Sequence, residues 1–226
     1  NLYDAITILY NNIHKIKYDG IYYRRDIGYK NLLNNPSKKL KIGILGSTKG
    51  TSIVKLLEQI KNKELNSSVE VVITNKKDAE IIDKSKDKFI PSFYIPHKKH
   101  ISSEEYDRIL VNILRLYNVD IVFLVGYMKI VSSVLIDEFR GNIFNIHPSL
   151  LPAYPNMMDL DVHCSVINNN EFVSGCTIHH VTEEVDDGDF IIQKQLLVNT
   201  NDPLKLKKEI QKLEADALID CVKIIS

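Results

Sequence analysis

From Leu40 onward the chain alternates between short apolar runs and longer segments with helical spacing, and this rhythm restricts the fold more than any other feature of the sequence. Lys41-Ile42-Gly43-Ile44-Leu45, Val69-Glu70-Val71-Val72-Ile73, Phe93-Tyr94-Ile95, Asp120-Ile121-Val122-Phe123-Leu124-Val125 and Asn142-Ile143-Phe144-Asn145-Ile146 each read as a strand. Runs that are apolar almost throughout, rather than at every second position, belong to strands covered on both faces. Between them, Ile53, Val54, Leu57 and Ile60 mark one helix face, and Ile109, Leu110, Ile113, Leu114 and Tyr117 mark another. Ser102 followed three residues later by Glu105 is a capping box that opens the second helix. Strands alternating with helices predict an α/β fold, a doubly wound and mostly parallel sheet, with the strand at 120–125 at its centre. Residues 175–181 and 190–198 read as two more strands, taken as antiparallel. Residues 203–225 read as an amphipathic helix with Pro203 at its start.

The first 35 residues break this rhythm. Leu2, Ile6, Leu9, Ile13 and Ile16 recur at helical spacing, Tyr18-Asp19-Gly20 signals a turn, and an aromatic-basic stretch follows at 21–28. Asn34-Asn35-Pro36-Ser37-Lys38-Lys39 has the composition of a linker. The expected organisation is therefore an N-terminal helical and extended appendage at 1–35, a linker at 36–39 and a main domain at 40–226. At 226 residues the chain has room for one such domain and its appendage. Lys+Arg and Asp+Glu both count 29, so the net charge is zero, and the basic excess of a nucleic-acid binder is missing. No apolar run approaches the roughly 18 residues of a membrane span. The three cysteines, Cys164, Cys176 and Cys221, form no close pair, which argues against a disulfide framework or a thiolate zinc site. With no secretory signal at its start, the chain is expected in the cytoplasm. It opens on Asn1 rather than Met, as a piece of a longer polypeptide would.

Three motifs carry candidate chemistry. Gly46-Ser47-Thr48-Lys49-Gly50-Thr51-Ser52 follows the first strand and precedes a helix. Small residues there let backbone N–H groups approach an anion, and the helix N-terminus favours negative charge. The plainer reading is a tight turn with Thr51 or Ser52 as N-cap. Asn145-Ile146-His147-Pro148-Ser149-Leu150-Leu151-Pro152 ends the last parallel strand. Asn145 and His147, two apart on an extended chain, point to one side. Such a pair either closes a loop or serves an oxyanion and a proton. Thr177-Ile178-His179-His180-Val181-Thr182-Glu183-Glu184-Val185-Asp186-Asp187-Gly188 is either a solvated acidic loop or the source of a carboxylate that orients His147. Adjacent His179 and His180 face opposite ways on a strand, so they do not make a metal site.

On these motifs residues 40–226 resemble the phosphoribosylglycinamide formyltransferases. The octapeptide from Asn145 to Pro152, Gly175-Cys176-Thr177-Ile178-His179 and Glu184-Val185-Asp186-x-Gly188 carry the likeness. The resemblance implies a Rossmann-like formyltransferase fold. It implies transfer of a formyl group from 10-formyltetrahydrofolate, as cosubstrate, to the amine of 5′-phosphoribosylglycinamide in purine biosynthesis, without a metal. By the same resemblance Asn145, His147 and Asp186 are the catalytic trio, and Met128, Lys129, Ile130 and Val131 line the folate pocket together with Asn145. Gly50, Thr51 and Ser52 hold the substrate phosphate, and Gln211 and Glu214 reach the ribonucleotide from the last helix. Methionyl-tRNA formyltransferase and 10-formyltetrahydrofolate hydrolase share the Asn-x-His and Asp pattern, and a degenerate, non-catalytic nucleotide-binding domain is the other alternative. The chain departs from the family where Ser47-Thr48-Lys49-Gly50-Thr51-Ser52 lacks one glycine and the Asn of the phosphate loop, which shifts phosphate contact toward Thr51 or Lys49. Ser103 stands where the family has an arginine for the folate tail, Asn156 where it has glycine, and Ala215 where it has histidine. His163 is the displaced counterpart of another family histidine.

Gly20-x-x-Tyr23-Arg24-Arg25-Asp26-Ile27-Gly28 is similar to the C-terminal tail of phosphoribosylamine–glycine ligase (glycinamide ribonucleotide synthetase). That likeness makes 1–35 the remnant of a synthetase domain fused upstream. Deleting residues 1–35 is accordingly expected to leave formyl transfer nearly unchanged, measured as turnover of the truncated chain. Loss of activity in a truncated but folded protein would move the domain boundary.

Overall fold

The computed structural model describes residues 39–226. The expected N-terminal helix, the aromatic-basic stretch and most of the linker lie outside the described residues. The elements run β1 (Leu40–Gly46), α1 (Thr51–Lys61), β2 (Ser67–Thr74), α2 (Ile81–Lys86), β3 (Ser92–Tyr94), α3 (Ser103–Leu116), β4 (Ile121–Val125), α4 (Ser133–Glu138), β5 (Ile143–His147), α5 (Leu160–Asn168), β6 (Val173–His180), β7 (Phe190–Leu197) and α6 (Pro203–Ile225). The seven strands form one sheet in the order β3-β2-β1-β4-β5-β6-β7. The first five pair in parallel, and β6 and β7 run antiparallel at one edge. The strand at 121–125 is the middle one, as its unbroken apolar run requires.

Alternation along that strand feeds two cores. Ile121, Phe123 and Val125 join the core with Ile42, Ile44, α1 and α6, whereas Val122 and Leu124 join the core with Leu45, Val71, α3 and α4. The capping box of α3 is formed in both directions: Glu105 N–H donates to Ser102 Oγ at 3.1 Å, and Ser102 N–H donates to the Glu105 carboxylate at 3.0 Å. The buried stripe of α3 differs from the expected one. It runs through Tyr106, Asp107, Leu110, Val111 and Leu114, while Ile109 turns outward and Ile113 and Tyr117 are only half-buried. Three helices escape the sequence reading. Two of them, α2 and α4, have six residues each, too few for a periodic apolar pattern. The third, α5, has nine residues and starts at Leu160, directly after Asp159 as N-cap.

The strand order fixes where a ligand goes. β1 has β2 on one side and β4 on the other, so the chain reverses its direction of travel across the sheet between them. Open α/β sheets leave a crevice at the carboxyl ends of the strands at such a switch point. Here the two ends are tied, since Ser47 N–H donates to the Gly126 carbonyl at 3.1 Å.

Ser102→Ala removes the side-chain half of the capping box. The expected cost is about 1 kcal/mol, a fall of roughly 2–4 °C in melting temperature for a chain of this size. An unchanged melting temperature would show that the tertiary contacts of α3 hold its first turn without the cap.

Candidate active site

The expected site residues Gly50, Thr51, Ser52, Met128, Lys129, Ile130, Val131, Asn145, His147, Asp186, Gln211 and Glu214 meet in one cleft at the carboxyl ends of β1, β4 and β5, about 1140 Å³ including the open space at its mouth, whereas Lys49 does not line it. At its floor stand Asn145 and His147, on one side of β5 as their spacing requires. Asp186 arrives from the loop after β6. His147 Nδ1 lies 3.2 Å from Asp186 Oδ2, and Asn145 Nδ2 donates to Asp186 Oδ1 at 3.4 Å. His147 Nε2–H donates to the Tyr154 carbonyl at 3.0 Å. Both ring nitrogens thus face acceptors, an arrangement suited to the imidazolium form.

The Asp186 carboxyl is pulled two ways. Burial pushes it up, but hydrogen bonds from His147 and His179, the charge of His147 and the Asn156 N–H at 2.9 Å outweigh burial and hold it well below the usual carboxylate range. Asp186 has φ +59°, a left-handed conformation that Asp tolerates better than most residues. Two residues on, the chain crosses β6 so closely that a Cβ on Gly188 would lie 1.8 Å from the His180 carbonyl oxygen. Only glycine fits there, and it sets the path that brings Asp186 back over the sheet.

His179 joins this group, although the sequence reading did not place it there. It pairs with Asn145 in the β5–β6 register. Its Nδ1–H donates to the His180 carbonyl at 2.8 Å, which turns Nε2 to within 3.2 Å of Asn145 Nδ2 and 3.5 Å of Asp186 Oδ1. The adjacent His180 faces the other way, its ring 5.0 Å from that of Phe144. The advance signals for His179 were alternation along β6 and its place in the run from Gly175 that carries the resemblance, and without the β5 register neither names a partner. Among the described residues no group of three or more His, Cys, Asp and Glu side chains is placed to hold a metal ion.

At the other end of the cleft, Gly50 rather than Thr51 or Ser52 is the N-cap of α1. Its φ is +60°, and a Cβ there would meet Ile81 Cγ1 at 2.4 Å. Thr51 is exposed and lines the cleft. Lys49 is turned away from it: its ammonium pairs with Glu80 at 3.2 Å. Ser52 is 3% exposed, and its hydroxyl donates to Glu214 Oε2 at 2.6 Å, so Ser52 offers a ligand its N–H rather than its side chain. Lys207, Gln211 and Glu214 border the cleft from one face of α6, at i, i+4 and i+7. Burial pushes the Glu214 carboxyl up to about 7, against the Ser52 hydrogen bond and the charges of Lys207 and His147. His163, on α5, also lines the cleft. Burial, reinforced by Lys207 and opposed by Asp159, pushes it down to about 4, so it is neutral near pH 7.

Between these ends, Met128, Lys129, Ile130 and Val131 form a wall on the segment between β4 and α4. Met128 N–H donates to Ser47 Oγ at 2.8 Å. Lys129 Nζ donates to Ser103 Oγ at 3.0 Å and lies 5.4 Å from the centre of the Tyr106 ring. A cation therefore stands beside Ser103.

The formyl transferase family matches residues 40–222. Phosphoribosylglycinamide formyltransferase of Bacillus subtilis (strain 168) is 30% identical over 175 residues, which cover 77% of this chain and 88% of that protein. The human trifunctional purine biosynthetic protein adenosine-3 is 31% identical over 176 residues, 78% of this chain but only 17% of that protein. The crystal structure of phosphoribosylglycinamide formyltransferase from Bacillus halodurans is 32% identical and superposes with a TM-score of 0.76 over 82% of this chain and 95% of its own. Glycinamide ribonucleotide transformylase 1 from Symbiobacterium toebii, 30% identical, also gives 0.76, over 81% and 85%.

Glu214 and Asp186 make opposite contributions to stability as pH changes. Between its ordinary 4.5 and about 7, Glu214 keeps its proton in the folded chain but loses it in the unfolded one, so its contribution falls as pH rises through that window. Asp186, held low, contributes above its ordinary 3.8 and loses that contribution as pH falls below it. Glu214→Gln is expected to raise the melting temperature, relative to the parent protein, more at pH 8 than at pH 5. Equal shifts at both values would show that the Glu214 carboxyl ionises freely.

Proposed function

The chain belongs to the formyl transferase family, and on that premise we propose that it transfers a formyl group from 10-formyltetrahydrofolate to the amine of 5′-phosphoribosylglycinamide. One observation carries the substrate assignment. A single cleft holds an Asn–His–Asp group at its floor, a glycine-capped helix N-terminus at one end and a largely apolar wall at 128–131 beside it. The helix N-terminus at Gly50, Thr51 and Ser52 suits a phosphate. The wall at 128–131 suits a flat heterocycle whose polar edges backbone groups satisfy. Gln211 and Glu214, beside the helix N-terminus, are the side chains for the ribose and its neighbourhood.

The chemistry follows from the trio. The neutral glycinamide amine attacks the formyl carbon, forming a C–N bond and moving the carbonyl electron pair onto oxygen. Asn145 and protonated His147 are the N–H donors for that oxyanion, His147 by exchanging the Tyr154 carbonyl for it at Nε2–H while Nδ1–H stays on Asp186. Asp186 keeps His147 charged and aligned, and His179 buttresses Asp186 from the far side. The proton lost by the amine passes to N10 of the folate, through water, and the bond from the formyl carbon to N10 breaks as the carbonyl re-forms.

We also propose that 40–226 is the whole catalytic unit, with 36–39 as linker and 1–35 as the remnant of an upstream glycinamide ribonucleotide synthetase domain. The family match starting at residue 40, the start of β1 at Leu40 and the likeness to trifunctional proteins support this reading, while single-function relatives match the same residues. Among the described residues no helix is long and apolar enough to cross a membrane.

Turnover of 10-formyltetrahydrofolate with and without 5′-phosphoribosylglycinamide tests the activity. Release of tetrahydrofolate that does not depend on the ribonucleotide would replace transfer by hydrolysis. His147→Ala and Asp186→Asn are each expected to lower kcat on the order of 10²-fold or more, with folate binding little changed. Near-normal kcat in folded His147→Ala would remove it from the trio.

A further inference from the structure

Asp107 is the anomaly of the buried stripe on α3. It is 0% exposed, among Leu110, Val111 and Leu114, where packing alone would take an apolar residue. Its Oδ2 accepts both the backbone N–H of Ser132 at 2.5 Å and the Ser132 hydroxyl at 2.7 Å, and its Oδ1 has no hydrogen-bond partner. Ser132 is the N-cap of α4, but its side chain makes no cap hydrogen bond. The hydroxyl is given to Asp107 instead. A carboxylate is expensive to bury, and here it is kept for one contact that a helix start does not need.

That contact lies at one end of the irregular segment between β4 and α4. At the other end Met128 N–H is held by Ser47 Oγ, which itself donates to Asn75 Oδ1 at 2.6 Å. The wall residues 128–131 lie between these two anchors, with no strand or helix of their own, and Ile130 is 61% exposed. We propose that Asp107 is a positioning residue for the folate cosubstrate, fixing through Ser132 the backbone of the wall against which the folate lies. The inference rests on the folate reading of that wall. Asp107 does not itself line the cleft, and the proposed effect reaches the ligand through Ser132.

Asp107→Ala in the full chain is expected to raise the KM for 10-formyltetrahydrofolate roughly tenfold or more, the scale of a displaced binding surface, while the KM for the ribonucleotide stays within about twofold. Asp107→Asn, which keeps an acceptor oxygen for the Ser132 N–H, restores most of the folate KM. Ser132→Ala, which removes the hydroxyl contact and leaves the core packing untouched, gives a smaller rise in the same KM alone. Hydrogen exchange at the amides of 128–132, without ligand, is faster in Asp107→Ala and Ser132→Ala than in the parent. The proposal is overturned if both KM values rise together, if neither moves, or if exchange at these amides is unchanged. Should Asp107→Ala not fold, Ser132→Ala decides by the same two readouts. If the parent protein neither turns over nor binds folate, the proposed function fails, and exchange still decides whether Asp107 fixes the loop.

Discussion

The Asp186 carboxylate is the point on which the rest of the site depends. It meets His147, His179, Asn145 and the Asn156 N–H, and so links β5, β6 and the two loops beyond them. Burial works against its charge, and the donors around it outweigh burial. The geometry comes from backbone rather than from the charge itself. Asp186 takes a left-handed conformation, and Gly188 lets the loop pass against the His180 carbonyl with no room for a side chain. A carboxylate delivered in this way fixes the two rings it touches. The proposed chemistry then asks His147 to exchange only the Tyr154 carbonyl at Nε2 for the substrate, while Asp186 keeps the ring oriented.

The sheet decides where that group can act. The reversal of strand order between β1 and β4 opens the crevice, and the same reversal sets the loop after β1 beside the wall after β4. Ser47 fastens the two, through its N–H to Gly126 and its hydroxyl to the Met128 N–H. The proposed binding sites for the two substrates are therefore neighbours by topology, with Asn145 and His147 on β5 one strand further along. The antiparallel addition of β6 supplies His179 in register with Asn145 and sends the following loop back over the carboxyl ends.

Two positions read from the resemblance as departures, Ser52 and Ser103, have partners in the structure. Ser52, short where the family has Asn, is occupied with Glu214 across the gap between α1 and α6. A carboxyl that holds its proton to about 7 lies close to a helix N-terminus without bringing a full negative charge to a place proposed for phosphate. Ser103 accepts a hydrogen bond from the Lys129 ammonium, which brings a positive charge to that edge of the cleft.

Much of this was legible in the amino-acid order. The apolar runs gave the strands, because a strand buried on both faces can be built from little else. Ser102 and Glu105 gave the start of α3, because a capping box is satisfied within four residues. Asn145 and His147 shared a side by the two-residue period alone. The helices α2 and α4 were too short to show a period, and Asp107 broke the apolar pattern of α3 because its partner, Ser132, is 25 residues away. Asn145 to Asp186 spans 41 residues, and Ser52 to Glu214 spans 162. Local sequence determined which elements form and which faces they bury, because propensity, capping and periodicity act over a few residues. Only the tertiary structure decided which side chains meet, because strand order, register and the path of the loops after β1, β4 and β6 set those distances.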